Sequence, residues 1–382
     1  MHTLSTHLTL LFCISLLLTA SATALPQFAA RTGERCQSCH VDPSGKGMRT
    51  LNGANFGRNE LPLSSTDDTA DIEDFITRIT KNINTGGDFR TLYFYNEIDK
   101  TGSFFQMEGN LYFDFRLNKK VRVYVSKGLY TGFEVFGLAR VLPLDGYIKV
   151  GKFVPAYGLR IDDHNAFIRG GRYSSAFAST LPAGYPGGLR FGERAEDTGM
   201  EFGFAPSIFS ITAGVFNGIP GGGLTGTAGS KTYAVALRGE AIIPSETINI
   251  SVGGSFYNYP NPNGFGTTQF YGAFATLGVM KNLTLLAEAD RSVNPLNSKN
   301  ITGQMLYTQL DYFFTSGLDV FAGYEFYDPD IELANGTASS INIGASFFPM
   351  SGVELRPVYH INKETPVEIS NNEFQMMFHF YL

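Results

Sequence analysis

The stretch Thr247-Ile248-Asn249-Ile250-Ser251-Val252-Gly253-Gly254-Ser255-Phe256-Tyr257 decides the fold. Ile248, Ile250, Val252 and Phe256 share one parity, and Asn249, Ser251, Gly253 and Ser255 share the other. Strand side chains alternate between two faces, so the segment has one apolar face and one small or polar face. The pattern recurs at 207–216, where Phe209, Ile211, Ala213 and Val215 oppose Ser210, Thr212 and Gly214. It also closes the chain, with Phe374, Met376, Phe378, Phe380 and Leu382 set against Gln375, Met377, His379 and Tyr381. Repeated segments of about ten residues, apolar outside and small or polar inside, are the signature of transmembrane barrel strands.

Working outward from 247–257, sixteen such segments begin near residues 88, 104, 120, 132, 145, 197, 207, 231, 247, 268, 281, 302, 317, 338, 351 and 373. Their connections alternate in length. Short ones carry turn residues, as in Asn118-Lys119, Ala205-Pro206, Pro244-Ser245, Lys281-Asn282 and Ser316-Gly317; longer ones lie between, with 154–196 the longest. Bacterial barrels have short periplasmic turns and longer external loops. The expected fold class is therefore mainly β: a transmembrane antiparallel β-barrel of 16 strands in the bacterial outer membrane, with both termini periplasmic.

Composition agrees with a lipid-facing wall. The 382 residues include 43 Gly, 33 Phe and 19 Tyr but no Trp, and 17% are charged. A soluble domain carries about 25% charge and about 7% Gly. The net charge of −6 supplies no basic footprint, so no nucleic-acid partner is expected. The sequence forms no hydrolase triad, phosphate loop or nucleotide fingerprint.

Before the barrel come two further regions. The apolar run Leu8–Leu18 is too short to span a bilayer, which takes roughly 20 residues, and it leads to Ala22-Thr23-Ala24. Small residues in that arrangement mark a signal-peptidase site, so residues 1–24 are assigned as a signal peptide. Cys13 lies inside that segment, which leaves Cys36 and Cys39. Residues 25–85 then form a small unit with a connector, and residues 86–382 the barrel. Ile72, Phe75, Ile76, Ile79 and Ile83 recur at helical spacing and predict a short amphipathic helix in the connector. A unit this small buries little by itself; as a plug in the barrel lumen it gains an enclosing wall.

The two remaining cysteines stand in Cys36-Gln37-Ser38-Cys39-His40. This C-x-x-C-H spacing is that of covalent haem attachment, in which two thiols add to the haem vinyl groups and the adjacent imidazole takes the iron. One motif implies one haem c, bound by Cys36, Cys39 and His40, with His40 as proximal iron ligand. A zinc site would need ligands from elsewhere, and the chain has no second cysteine pair. The distal ligand stays open among His379, His360, His164, Met48 and no protein ligand. By parity His360 and His379 face the lumen, and Met48 lies eight residues past His40, an extended reach of roughly 27 Å. In the long loop Asp162, Asp163 and His164 offer adjacent hard and imidazole ligands for a passing iron ion. Arg160, Arg169, Arg172, Arg190, Glu193, Arg194, Glu196 and Asp197 surround them with mixed charge.

A single C-x-x-C-H segment ahead of an outer-membrane barrel resembles the fused monohaem cytochrome-porins of iron-oxidising bacteria. The specific residues that carry the resemblance are Cys36, Cys39, His40 and the following Asp42-Pro43-Ser44-Gly45. It implies an outer-membrane cytochrome that oxidises extracellular Fe(II) and passes electrons to a periplasmic cytochrome or other carrier, an electron carrier more than a conventional enzyme. Two other expectations stand beside it: a diffusion porin with a haem-bearing plug or gate, and an outward metal-reducing conduit.

Overall fold

The computed structural model describes residues 26–64, 77–98, 100–129, 132–161, 166–170, 189, 195–218, 233–260, 266–296, 299–368 and 370–382. The signal-peptide assignment of residues 1–24 lies outside these. The chain forms a short strand β1 (Arg78–Thr80) and sixteen long ones: β2 (Ile83–Asn96), β3 (Thr101–Arg116), β4 (Val121–Gly128), β5 (Phe133–Leu142), β6 (Gly146–Phe153), β7 (Asp197–Phe204), β8 (Phe209–Phe216), β9 (Ala234–Ile243), β10 (Ile248–Pro260), β11 (Thr267–Val279), β12 (Leu283–Leu296), β13 (Lys299–Thr315), β14 (Leu318–Asp328), β15 (Ala338–Phe347), β16 (Val353–Glu364) and β17 (Glu373–Tyr381). Each long strand pairs antiparallel with its sequence neighbours. The sheet closes through β17 and β2, in register from Glu373 opposite Asn96 to Tyr381 opposite Asp88. Closure leaves no strand edge among the long strands.

These are the sixteen segments expected from alternation; the first starts at Ile83 instead of near 88. The parity is also as expected. Phe209, Ile211, Val215, Ile248, Ile250, Val252, Phe380 and Leu382 are exposed on the outer face, while Thr212, Asn249, Ser251, Gln375 and His379 are buried on the inner one. Two expectations are corrected. The helix predicted through Ile79 and Ile83 is absent where the structure describes it: Arg78–Thr80 is a strand that turns into β2, with Thr80 Oγ1 accepting from the Asn82 and Ile83 amides. Spacings of four are even numbers, so Ile79 and Ile83 satisfy a strand period as well as a helical one. The remainder of that predicted helix, through residue 76, lies outside the described residues. The inner face, in turn, is not uniformly small and polar. Tyr112, Tyr124, Phe136, Phe153, Phe216, Tyr257 and Phe270 form a buried aromatic sector there.

That sector exists because the lumen is furnished with chain. Helices α1 (Pro26–Thr32), α2 (Cys36–Cys39) and α3 (Leu51–Asn55), followed by a π-turn at Phe56–Glu60, lie inside the wall. Their partners are inward-facing side chains on widely separated strands. Arg31 Nη2 reaches Asp319 Oδ1 at 2.9 Å, Asn249 Nδ2 donates to the Arg31 carbonyl at 2.8 Å, and the Met48 amide donates to Tyr124 Oη at 3.2 Å. Lys149, fully buried, holds both Asp42 and Glu201 at 3.0 Å. Tyr381 Oη donates to the Gly57 carbonyl at 3.1 Å.

The described residues 154–161 and 166–170 of the long β6–β7 connection also enter the lumen. They have no ladder partners, so their backbone donors need acceptors. Wall carboxylates supply them: Glu288 Oε2 accepts from the Leu159 amide at 2.7 Å, and Glu325 Oε2 from the Phe167 amide at 2.8 Å. The two insertions meet where Arg160 donates to the Ser44 carbonyl at 3.1 Å and to Ser44 Oγ at 2.8 Å.

Removing one partner of a buried ion pair costs roughly 3–5 kcal/mol. Lys149→Met leaves Asp42 and Glu201 buried without their shared cation. Limited trypsin digestion should therefore cut within residues 26–64 faster than in the parent, with the barrel fragment intact on a gel. Equal cutting rates would contradict anchoring by Lys149.

Candidate functional site

The site begins with one short helical turn. In α2 the His40 amide bonds the Cys36 carbonyl at 2.9 Å, and His40 itself is extended (φ −113°, ψ 148°). The chain thus leaves the turn directly after Cys39. It doubles back so that Val41 N donates to Met48 O at 3.0 Å and Thr50 N to Cys39 O at 2.7 Å. Asp42 makes the intervening turn: its Oδ1 accepts from the Ser44 amide at 2.9 Å and from Ser44 Oγ at 2.8 Å. Burial would raise the Asp42 carboxyl, but Lys149, Arg160 and the two Ser44 hydrogen bonds outweigh it and hold it below the usual carboxylate value.

His40 Nδ1 lies 3.2 Å from the Gly47 carbonyl. A carbonyl only accepts, so Nδ1 carries the proton and Nε2 keeps its lone pair. Gly47 is held at φ +66°, and a Cβ there would fall 2.3 Å from Tyr124 Oη. The carbonyl that sets the His40 tautomer therefore depends on a residue that only glycine fits. Gly53 is equally constrained, since a Cβ would fall 2.3 Å from the Cys39 carbonyl oxygen. Cys36 is partly exposed and Cys39 buried, and neither is in a disulfide.

His40 lines a recess of about 960 Å³, its mouth included. The apolar part of the lining includes Phe28, Phe56, Leu61, Phe348 and Tyr381; the cationic part is Lys46, Arg49, Arg90, Arg160 and Arg356, and Asp88 and Glu354 add carboxylates beside His379. Arg49 stacks over the Tyr381 ring at 4.4 Å. Flat apolar walls with guanidinium groups among them suit a large planar ligand that bears carboxylates. Arg160 was among the loop charges singled out from the sequence; Arg49, Arg90 and Arg356 were missed, and the signal for Arg90 and Arg356 was their inward parity within barrel strands.

The expected distal candidates separate. His379 lines the same recess as His40. Its ring is held on both sides, Nδ1 at 2.8 Å from Glu354 Oε2 and Nε2 at 3.1 Å from Asp88 Oδ1. Met48 is buried in the aromatic sector with Tyr112 and Tyr124. His360 is buried on the inner face with Nδ1 2.6 Å from Asn342 Oδ1. It is six residues along β16 from Glu354, or about 20 Å. Asp162, Asp163, His164, Arg172, Arg190, Glu193 and Arg194 lie outside the described residues. Of the loop charges that are described, Arg160 and Arg169 point inward, the latter to Glu288 Oε2 at 2.7 Å. Glu196 and Asp197 are buried where the chain enters β7.

No protein-family model matches the chain, and no curated protein matches it in sequence. Solved structures do match in fold. In-vitro folded OmpT, an outer membrane protein of Vibrio cholerae in trimer form, is 13% identical with a TM-score of 0.53 over 78% of this chain and 99% of its own. Salmonella typhi OmpF in complex with daunomycin is 11% identical with a TM-score of 0.53, covering 79% and 98%. A porin structure is 13% identical with a TM-score of 0.50, covering 78% and 100%. The fold is that of a closed sixteen-strand outer-membrane porin barrel.

The thiols have their own signature. Burial first, then the charges of Glu34 and Cys36, push Cys39 up to about 12. Burial, then Glu240, also raises Cys36 against the pull of Arg238 and Arg160. The thiolate is the nucleophile, so a raised value means slow alkylation at neutral pH. In folded, haem-free protein, iodoacetamide labelling of Cys39 should stay slow at pH 8 and climb only as pH nears 12. In urea the rise should shift to about 8.5. Equal labelling in both states at pH 8 would overturn this placement of the thiols.

Proposed function

We propose that this chain is an electron-transfer protein of the bacterial outer membrane. It holds one covalent haem c inside a porin-type barrel, oxidises extracellular Fe(II) and passes electrons to a periplasmic carrier, with both termini periplasmic. The observation that carries the proposal is the placement of Cys36-Gln37-Ser38-Cys39-His40 within the lumen, beside a recess also lined by His379 and four arginines. Cys36 and Cys39 would hold the group through thioethers, and His40 through Nε2, oriented by the Gly47 carbonyl. Arg49, Arg160 and Arg356 would suit its propionates, and Phe28, Phe56 and Phe348 would keep water from it. Bound there, the haem supplies one-electron chemistry whose potential follows axial ligation and burial.

The apolar band of such a barrel is about 25 Å tall. One site near the short-turn end does not bridge that height, so the donor ion must enter the lumen from the loop side. Buried carboxylates on the inner wall, among them Glu325, Asp328 and Glu364, give that route a charge that attracts a hydrated dication. A second reading, a diffusion porin with a haem-bearing plug, is favoured by the porin fold.

The test is expression with haem-attachment machinery and export. The parent should carry covalent haem that survives denaturing electrophoresis, and Cys36→Ala/Cys39→Ala should lose it with the barrel still folded. Fe(II) added to proteoliposomes should reduce the haem band of the parent. Covalent haem that ignores Fe(II) would favour the plugged porin, and no covalent haem in the parent would sink the proposal. Among the distal candidates His379→Ala should alter the reduced spectrum, whereas Met48→Ala and His360→Ala should leave it unchanged.

A further inference from the structure

One side chain on the inner face of β17 has no explanation in the packing. That face carries Glu373, Gln375, Met377, His379 and Tyr381, all buried. Its polar members are tied by hydrogen bonds: Gln375 Nε2 donates to Glu373 Oε2 at 3.3 Å, His379 Nδ1 lies 2.8 Å from Glu354 Oε2, and Tyr381 Oη donates to the Gly57 carbonyl at 3.1 Å. Met377 stands among them 8% exposed, yet it belongs to none of the three buried apolar clusters. Its ladder partners are Arg356 on β16 and Leu92 on β2. Leu92 is likewise outside those clusters. A buried thioether on a polar strand face, outside every core, is not there to fill space.

Met377 lines the same recess as His40. The recess lies between the N-terminal insertion, which brings His40 and Arg49, and the wall, where β17 brings Met377, His379 and Tyr381. With His40 as one axial ligand from the insertion, a second one comes from the wall. Two of the three donors on β17 are engaged. Tyr381 gives its hydroxyl proton to Gly57, and its ring is covered by Arg49 at 4.4 Å. His379 has a carboxylate oxygen at each nitrogen, Glu354 Oε2 at 2.8 Å from Nδ1 and Asp88 Oδ1 at 3.1 Å from Nε2. A metal at either nitrogen would separate a buried carboxylate from its partner, and uncompensated buried charge is costly. The Met377 sulfur is a weak acceptor with no proton to lose. Nothing is given up when it binds iron.

We infer that Met377 is the second axial ligand of the haem, on the side away from His40. The inference rests on the haem reading of the cysteine motif and supplies the ligand that reading leaves open. A thioether is a soft donor and favours the ferrous state, so His–Met ligation raises the reduction potential. An acceptor of electrons from Fe(II) needs a shift in that direction.

The test uses the full-length holoprotein in detergent micelles, with covalent haem confirmed on a denaturing gel. The ferric parent should show the weak far-red charge-transfer band of a thioether–iron bond, and the ferrous parent should be low-spin and closed to carbon monoxide. Met377→Leu keeps the side-chain volume; it should lose the band, turn high-spin and bind carbon monoxide. Met377→His should be low-spin without the band, at a lower potential than the parent. His379→Ala should shift the reduced bands but keep the far-red band and the spin state, and Met48→Leu should leave all three unchanged. A parent without the far-red band overturns the inference, as does a Met377→Leu protein that keeps it, or loss of it in His379→Ala or Met48→Leu. Each of these results is read on protein that carries covalent haem, so it counts against Met377 alone. A parent with no covalent haem counts against the haem reading and takes this inference with it.

Discussion

The closure of β17 onto β2 is the constraint from which the rest follows. In hydrocarbon every backbone donor and acceptor must be paired within the protein, and a closed ladder does this for all sixteen long strands at once. Closure fixes which parity of each strand looks out. The outer parity must be apolar along the whole circuit, and the inner one is released from that demand. Among the described strand residues, the buried charges lie on the released face.

A sixteen-strand wall is wide enough to leave space that side chains alone do not fill. Here two insertions occupy it, one from the N-terminus and one from the β6–β7 connection. Neither belongs to the sheet, so each must satisfy its backbone and charges against the wall. That need explains the unusual inner surface: carboxylates at Glu288 and Glu325 for loop amides, Lys149 for Asp42, and Asp319 for Arg31. It also explains the aromatic sector under Met48 and Val41, where the N-terminal hairpin lies flat on β3 to β6. Buried pairs of this kind contribute little net stability over an apolar core but penalise any other docking arrangement. They fix the place of the cysteine turn more than they strengthen it.

Position gives the motif its meaning. A Cys-x-x-Cys-His turn at the end of a mobile tail would serve equally for a metal or a disulfide. Held beside a recess with aromatic walls and arginine corners, with the His40 tautomer set by the Gly47 carbonyl, it has the surroundings on which the haem proposal rests. The same placement sets it near the short-turn rim and away from the loop end, where His360 and Glu364 lie on the inner face.

The number of long strands and their facing were legible in the sequence, and their boundaries to within a few residues, because alternation with a period of two is a local property that each strand states for itself. The cysteine motif was legible for the same reason: its three residues are neighbours in the chain. The helix through Ile79 and Ile83 misled because a spacing of four fits both periods. What no local pattern contains is which inner-face residues meet which insertion. Lys149 with Asp42, Arg160 with Ser44, and His379 in the recess of His40 join positions more than a hundred residues apart. Local alternation determined the barrel and the motif. Only closure in three dimensions decided where the motif sits, because the docking of a segment inside a barrel depends on side chains brought together from all around the wall.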